Sequence, residues 1–181
     1  MDSGKPLAAR TQRLFLALWP DEAVREQLAA HAGQWQWPAG CVRYAPADWH
    51  VTLHFIGDVA REKVDMIANG ADVSFQPFVL VFDQPGLWPR GLAVLCASEV
   101  PLALKRLRAQ LGHALSALDF APDPRPYAPH VTLARHAEAA IAPAAFAPVR
   151  WPVSGFALVL SIGLKAPRYR ILGQYRQAPG E

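Results

Sequence analysis

The chain has, near its start, a long apolar run followed by an amphipathic segment. Residues Arg13–Trp19 are almost entirely apolar and predict a buried strand. Pro20 and Asp21 come next and predict the start of a helix, because proline fits the first helical position and an acidic side chain favours the positive end of the helix dipole. We expect this helix to stop near Gly33, before a loop rich in Trp, Pro and Gly.

Alternation of apolar and polar side chains is clear at Trp49–Ile56, and it predicts a second strand. Gly57 is expected to break this strand, and Asp58 is expected to cap a second helix that runs to Gly70. The next apolar segment, residues 75–91, is expected to contain a strand and a turn.

The second half of the chain contains one long helix with a single apolar stripe. Its leucines recur at intervals of three and four residues, as Leu104, Leu107, Leu111, Leu115 and Leu118. The Ala/Pro-rich stretch 137–149 is expected to be a loop or a poorly formed helix. Further strands are predicted at Leu92–Ala97, His130–Arg135, Gly155–Leu164 and Arg168–Tyr175, the last two as a hairpin with residues 165–167 in its turn.

The tetrapeptide His-Val-Thr-Leu occurs twice, at residues 50–53 and 130–133. A shift of the chain by 80 residues also places Leu14–Leu18 on Val94–Ser98, and it places the first helix on the start of the leucine-striped helix. The order strand, helix, proline-containing loop and HVTL strand therefore appears twice. We interpret this as a duplicated fold with one HVTL strand in each half, related by a pseudo-two-fold axis.

Each HVTL strand carries its histidine and its threonine on one face, because alternate strand residues point the same way. His50 and Thr52 correspond to His130 and Thr132. Buried imidazole and hydroxyl groups need hydrogen-bond partners, so this face is expected to line a cleft. One protonated and one neutral histidine would supply an acid and a base, and the threonine hydroxyls can donate to phosphate oxygens. The pattern favours a phosphodiester substrate.

We expect the other four histidines to have structural roles or no particular role. His31 and His113 are expected to be surface or hydrogen-bonded side chains on helices, and no role is expected for His136. His54 is predicted to share the face of His50, but it has no counterpart in the second copy. Because these two residues are about 13 Å apart on a regular strand, they cannot chelate one ion. The sequence has neither HExxH nor CxxC, so we expect no metal and no cofactor.

Composition narrows the remaining classes of protein. The chain is 52% hydrophobic and 18% charged, which is enough apolar material for a buried core. Its apolar stretches are too short to cross a membrane, and two cysteines are too few for a disulfide framework. Residues 1–12 contain no apolar run of the kind found in a secretory signal, so we expect no such signal and a cytoplasmic location. A net charge of +3, with Arg as the main basic residue, suits an anionic ligand rather than a long duplex.

The sequence resembles the 2H phosphoesterase superfamily, and within it the RNA 2′,3′-cyclic phosphodiesterase (2′-5′ RNA ligase, LigT/ThpR-like) family. The resemblance rests on RLFLALWPDEAVREQL near the start and on the motifs WHVTLHFIG and YAPHVTLAR. It implies a bilobal, duplicated α+β fold, with two antiparallel sheets lining a central cleft and the helices outside. Residues 1–181 are then expected to form a single domain of two intertwined lobes, each with one HxTx motif.

The resemblance also implies the reaction, which is metal-independent hydrolysis of RNA 2′,3′-cyclic phosphate ends, or of a cyclic nucleotide, to 2′-phosphates. It implies that His50 is the proton donor and His130 the proton acceptor. Both are expected to titrate near neutrality and to give a bell-shaped pH profile. The phosphate-binding residues are expected to be Thr52, Thr132 and Arg135, and the possible substrate-contacting residues Phe55 and Tyr44. We expect the protein to act as a monomer.

Three positions do not fit the expected site directly: one departs from the family motif, and two would face away from the site on a regular strand. Many members carry Arg where this chain has His54, which removes one expected positive charge from the site. Strict alternation would turn Phe55 and Arg135 away from the catalytic histidines, so a bulge or a strand end is needed to bring them back. Tyr44, Trp49 and Trp88 are candidates for stacking on a base.

Two other functions remain open on the sequence. The same fold and motifs would also serve a non-catalytic module that binds nucleotides or RNA ends. By microscopic reversibility, the same acid and base would also join RNA halves through a 2′-5′ bond.

Overall fold

The computed structural model describes residues 11–177. Short 3-10 turns lie at Pro46–Asp48 and Arg61–Lys63. The strands and helices, in chain order, are β1 (Thr11–Leu18), α1 (Glu22–Ala32), β2 (Val42–Arg43), β3 (Val51–Ala60), α2 (Val64–Gly70), β4 (Phe78–Phe82), β5 (Gln84–Trp88), β6 (Leu92–Cys96), α3 (Leu102–Ser116), β7 (His130–Arg135), β8 (Val149–Val153), β9 (Gly155–Ser161) and β10 (Tyr169–Arg176).

These strands form two four-stranded sheets and one two-stranded sheet. The first sheet has the order β10-β9-β1-β3, the second has the order β2-β7-β6-β5, and β4 pairs with β8. Every pairing is antiparallel. Each HVTL motif lies at the start of a strand, β3 in the first sheet and β7 in the second, and these two strands contact each other between the sheets.

The main hydrophobic core joins both sheets to the helices. It includes Leu14, Leu16 and Leu18 of β1, Leu95 of β6 and four leucines of α3, all at most 3% exposed: Leu104, Leu107, Leu111 and Leu115. Leu118, the fifth leucine of the predicted stripe, lies after the end of α3 and is half-buried. Helix α1 packs on β8, and α3 packs on β3 and α2. A smaller apolar cluster of Phe15, Ala17, Ala157 and Val159 covers the other face of the first sheet. The expected α+β architecture, with two antiparallel sheets and the helices outside, is confirmed.

Helix α1 begins after Asp21 and ends before Gly33, close to the predicted ends, and these two residues cap it. The Asp21 carboxylate accepts a hydrogen bond from the Val24 amide at 2.9 Å, and Gly33 is the C-cap. No helix among residues 11–177 is long and apolar enough to cross a membrane.

The prediction that the second strand breaks at Gly57 is wrong. Strand β3 continues to Ala60, because Gly57 takes a φ of 93° inside the strand, a conformation that a glycine adopts without steric cost. Asp58 does not cap a helix but pairs with Arg13 on the neighbouring strand at 3.2 Å. Helix α2 consequently begins only at Val64.

Strands β5 and β8 were not predicted, and proline explains why. Strand β5 contains Pro85 and β8 contains Pro152, and proline argues against a strand because it cannot donate to the ladder. Both prolines are tolerated because β5 is an edge strand and β8 has only one neighbour, β4.

The duplication is present in the sheets, but its register differs from the predicted one. Ala17 pairs with Thr52, and Val94 pairs with Thr132. Ala17 is therefore equivalent to Val94, three residues before Ala97, the position that a uniform shift of 80 residues would give. Relative to its HVTL strand, the first strand of the second half is therefore three residues out of the register that the sequence repeat predicts.

Candidate active site

A cleft of about 690 Å³ lies between the two four-stranded sheets, and both HVTL strands contribute to its lining. The structure brings together all four side chains that the repeat predicted there: His50, Thr52, His130 and Thr132. Each of the four is half-buried, which leaves it accessible from the cleft.

Both histidine rings are fixed by the same local hydrogen bond. His50 Nδ1 lies 2.8 Å from the Asp48 carbonyl oxygen, and His130 Nδ1 lies 2.8 Å from the Ala128 carbonyl oxygen. A carbonyl oxygen can only accept, so Nδ1 must carry the hydrogen in both rings. In a neutral ring Nε2 then has the free lone pair and can act as a base. In a charged ring Nε2 carries the proton that can be donated.

Aromatic side chains enclose the two rings. His50 stacks on Trp19, with 5.4 Å between ring centroids and 4° between planes, and it also contacts Phe15 and Tyr169 at 5.0 and 4.9 Å. His130 packs against Trp88 at 4.3 Å. These contacts remove water from the imidazoles and fix their planes.

The enclosure lowers the pKa of both histidines below the usual value. Burial lowers the pKa of His50 to about 4, and the nearby His130 lowers it further, against the opposing effect of the Asp48 carbonyl. Burial also lowers the pKa of His130, against the effect of the Ala128 carbonyl. Burial therefore shifts the pKa of both histidines downward from the near-neutral value expected from the sequence, to about 4 for His50.

This electrostatic arrangement predicts an acidic optimum for turnover at low substrate concentration. The profile of kcat/KM reports the free enzyme, and the active form needs one charged and one neutral imidazole. Because both pKa values lie below about 6.5, the maximum should lie below that pH. We expect kcat/KM to fall about tenfold per pH unit between about pH 6.5 and 8.5. An alkaline limb that begins above pH 7.5 would contradict this prediction, which steady-state kinetics on a cyclic nucleotide would test.

Matching bulges follow the two HVTL motifs. Thr52 pairs with Ala17 and His54 pairs with Leu16, so Leu53 has no partner on β1. In the second sheet Leu133 is left without a partner on β6 in the same way. A bulge reverses the alternation of side chains beyond it.

The bulges bring Phe55 and Arg135 back into the cleft. Both side chains are exposed and line it, with Phe55 at 52% exposure. A bulge was one of the two ways in which these residues could reach the site, and the structure has it in both halves.

The same bulge corrects the prediction that His54 shares the face of His50. The side chain of His54 is 3% exposed and points to α3, where its Nε2 lies 2.7 Å from the Arg108 carbonyl oxygen. Arg108 in turn donates from Nε to the Leu53 carbonyl at 3.3 Å. His54 therefore joins the first HVTL strand to α3, and its side chain does not face the cleft.

Tyr44 lies between two arginines at one end of the cleft. Arg135 donates from Nε to the Tyr44 hydroxyl, and the Arg168 guanidinium lies over the Tyr44 ring at 4.2 Å. Arg168 is in turn bound to the buried Asp48 carboxylate through its amide at 3.0 Å and its Nη1 at 3.3 Å. Asp48 thus binds Arg168 through its carboxylate and His50 through its backbone carbonyl.

Several lining residues were missed by the sequence analysis. Phe15 lies in a strand that is apolar on both faces, so its pattern did not show which face lines a cleft. Arg168 and Tyr169 lie in a hairpin outside the repeated motif, and His136 follows Arg135 at the end of β7.

Other candidate residues lie away from the cleft. Trp49 is only 4% exposed and belongs to the core, so it cannot stack on a base in the cleft. His31 is also buried, where its Nε2 accepts a hydrogen bond from the Trp35 indole at 3.0 Å. Residues 11–177 contain no group of three or more His, Cys, Asp or Glu side chains arranged to hold a metal ion.

Comparison with known proteins gives consistent results. The model of the 2′-5′ RNA ligase superfamily matches residues 20–163. The RNA 2′,3′-cyclic phosphodiesterase of Escherichia coli is 34% identical over 133 residues, which cover 72% of this chain and 75% of that protein. The RNA 2′,3′-cyclic phosphodiesterase of Thermus thermophilus is 31% identical over 192 residues, which cover 93% of this chain and 97% of that protein.

Solved structures show the same fold. The crystal structure of E. coli LigT in apo form has a TM-score of 0.78 and 26% identity, and the match covers 92% of this chain and 97% of that chain. The crystal structure of E. coli LigT complexed with 3′-AMP has a TM-score of 0.77 and 26% identity, covering 92% of this chain and 98% of that chain.

Proposed function

Because the chain belongs to the 2′-5′ RNA ligase superfamily, we propose that it is an RNA 2′,3′-cyclic phosphodiesterase that converts RNA 2′,3′-cyclic phosphate ends to 2′-phosphates. One observation carries the proposal. Two histidines, each held by a backbone carbonyl at 2.8 Å, face one cleft together with the threonines of the same two motifs. The names of the relatives support the same substrate.

The proposed mechanism transfers two protons in one in-line displacement. Water attacks phosphorus as His130 Nε2 takes its proton. The bond from phosphorus to the 3′ oxygen breaks as His50 Nε2 gives a proton to that oxygen, which leaves a 2′-phosphate and a 3′ hydroxyl. Two imidazoles supply both transfers, so the mechanism needs neither a metal ion nor a cofactor.

The phosphate itself creates the protonated state that the free protein disfavours. A cyclic phosphodiester carries one negative charge and gains a second in the transition state. An opposite charge close to a buried imidazole raises its pKa, so the bound substrate favours an imidazolium in the cleft. The assignment of that imidazolium to His50 follows the family resemblance. Thr52 and Thr132 are assigned to the non-bridging oxygens, and Arg135 supplies a fixed positive charge. Phe55 is assigned to substrate contact. Tyr44 lines the cleft but is only 7% exposed, so its contact with substrate is assigned to its edge beside Arg135 and not to stacking on a base.

Identification of the product would test the proposed function directly. A short RNA that ends in a 2′,3′-cyclic phosphate should yield a 2′-phosphate, which phosphorus NMR distinguishes from a 3′-phosphate. The yield should be unchanged by a chelator. Formation of a 3′-phosphate would refute the proposed direction of cleavage. Tight binding with no product would favour the non-catalytic module, and joined RNA halves as the main product would favour ligation.

We also propose a domain organisation, an oligomeric state and a cellular location for the protein. A single hydrophobic cluster includes residues of both large sheets, which supports one domain made of two lobes. We also propose that the protein is a monomer and that it acts on RNA ends or cyclic nucleotides. Cys41 and Cys96 are free thiols, as expected in the cytoplasm.

A further inference from the structure

A second concavity adjoins the catalytic cleft on the far side of Tyr44. This groove has a volume of about 660 Å³ and lies between the C-terminal end of α1, strand β2 and the loop from β9 to β10. Four residues line both the cleft and the groove, which makes them continuous: Val42, Tyr44, Leu164 and Arg168.

The groove carries positive charge that nothing in the described part of the chain neutralises. Arg43 and Lys165 are exposed and line the groove but not the cleft. Neither has a carboxylate within 4.0 Å among residues 11–177. Arg13, by contrast, lines the cleft but is paired with Asp58 at 3.2 Å. Two unpaired cations therefore lie on one side of the active site.

Aromatic surface accompanies these cations. Trp37 is half-buried in the wall of the groove, and its ring is held in place by stacking on Trp35 at 5.0 Å and by a hydrogen bond from its indole to the Ala32 carbonyl. A groove that combines cations with fixed aromatic rings is how proteins bind single-stranded nucleic acid, because the cations follow the phosphates and the rings stack on bases.

The position of the groove relates it to the reacting phosphate. Strand β2 pairs with β7 so that Val42 lies opposite Arg135 and Arg43 lies opposite Ala134. The groove thus begins one strand away from the arginine assigned to the phosphate. A cyclic phosphate is the 3′ terminus of its RNA, so the rest of the strand leaves the cleft only in the 5′ direction.

We propose that this groove binds the nucleotides on the 5′ side of the cyclic phosphate, with Arg43 and Lys165 contacting their phosphates and Trp37 contacting a base. The inference rests on the proposed function and extends it to substrate length. An RNA end would use the cleft and the groove together, whereas a cyclic mononucleotide would use the cleft alone.

The double variant R43A/K165A separates the two substrates. On an oligonucleotide of about five residues with a 2′,3′-cyclic phosphate, we expect kcat/KM to fall about tenfold or more, because two charge-assisted hydrogen bonds are lost. On a 2′,3′-cyclic mononucleotide we expect a change of less than about twofold. The dependence of log kcat/KM on log salt concentration should also become shallower by about 1.4 for the oligonucleotide.

The matched control is R61A/K63A, which removes one exposed arginine and one exposed lysine from the 3-10 turn after β3, outside the cleft and the groove. It should leave both substrates unchanged. Equal losses on both substrates, or no loss on the oligonucleotide, would overturn the groove proposal while leaving the proposed reaction intact.

A binding measurement tests the groove independently of turnover. Fluorescence anisotropy with a labelled oligonucleotide ending in a 2′-phosphate should show affinity weakened about tenfold by R43A/K165A and unchanged by R61A/K63A. If the wild-type protein cleaves neither substrate but shows this difference, the proposed function fails and the groove stands. If both double variants bind the oligonucleotide equally well, the groove proposal is wrong.

Discussion

Replacing His50 or His130 with Ala is expected to lower kcat on a 2′,3′-cyclic phosphate by about 10²- to 10⁴-fold, because each imidazole carries one of the two proton transfers. Both side chains are half-buried in the cleft wall, so both variants should fold, with the larger drop in unfolding temperature for His50→Ala because its ring packs on three aromatic side chains. Steady-state kinetics and thermal unfolding would measure the two effects. The control is His113→Ala, an exposed position on α3, which should change neither. Near-wild-type turnover by either cleft variant would refute the two-histidine mechanism.

A substrate with a better leaving group distinguishes the two histidines. In a cyclic analogue with sulfur in place of the 3′ oxygen, the departing thiolate needs little proton donation. On this analogue His50→Ala should regain much of its lost rate, while His130→Ala should not, because water still needs a base. Equal defects on both substrates would contradict the assignment. Recovery by His130→Ala instead would reverse the two roles.

The HVTL repeat was sufficient to predict that His50, Thr52, His130 and Thr132 line one cleft, because a strand has a fixed alternation and the motif occurs in both halves. Those two facts placed His50 and His130 on facing strands without any knowledge of the chain between them. The bulges at Leu53 and Leu133 could only be named as one option. A bulge depends on how the neighbouring strand is paired, and a leucine at that position carries no mark of it.

The environment of the two histidines could not be predicted without the tertiary structure. The rings that lower the pKa of His50 come from β1, the segment after it and β10, far apart in sequence. Strict alternation likewise predicted that His54 shares the face of His50, whereas the bulge turns it toward α3. In both cases the deciding interaction is between elements that only the packed fold brings together.

A buried ion pair supports the catalytic end of the first sheet. Asp48 is 1% exposed and Arg168 is 9% exposed, and the Asp48 carboxylate accepts hydrogen bonds from both the amide and the guanidinium of Arg168. The two residues are far apart in sequence, and they join the turn that precedes His50 to the hairpin that carries Tyr169. Removing one partner of such a pair leaves an uncompensated charge in the interior.

Asp48→Ala is therefore expected to lower the free energy of unfolding by about 3–5 kcal/mol, as measured by denaturant titration. The backbone carbonyl of residue 48 remains, so the fraction that stays folded should keep the hydrogen bond to His50. Asp58→Ala is the matched control, because it breaks an Asp–Arg pair whose side chains are both 56% exposed, and it should cost no more than about 1 kcal/mol. The double variant D48A/R168M should be more stable than Asp48→Ala alone, since it removes the unpaired guanidinium as well. Equal costs for Asp48→Ala and Asp58→Ala would show that the buried pair does not hold this end of the cleft together.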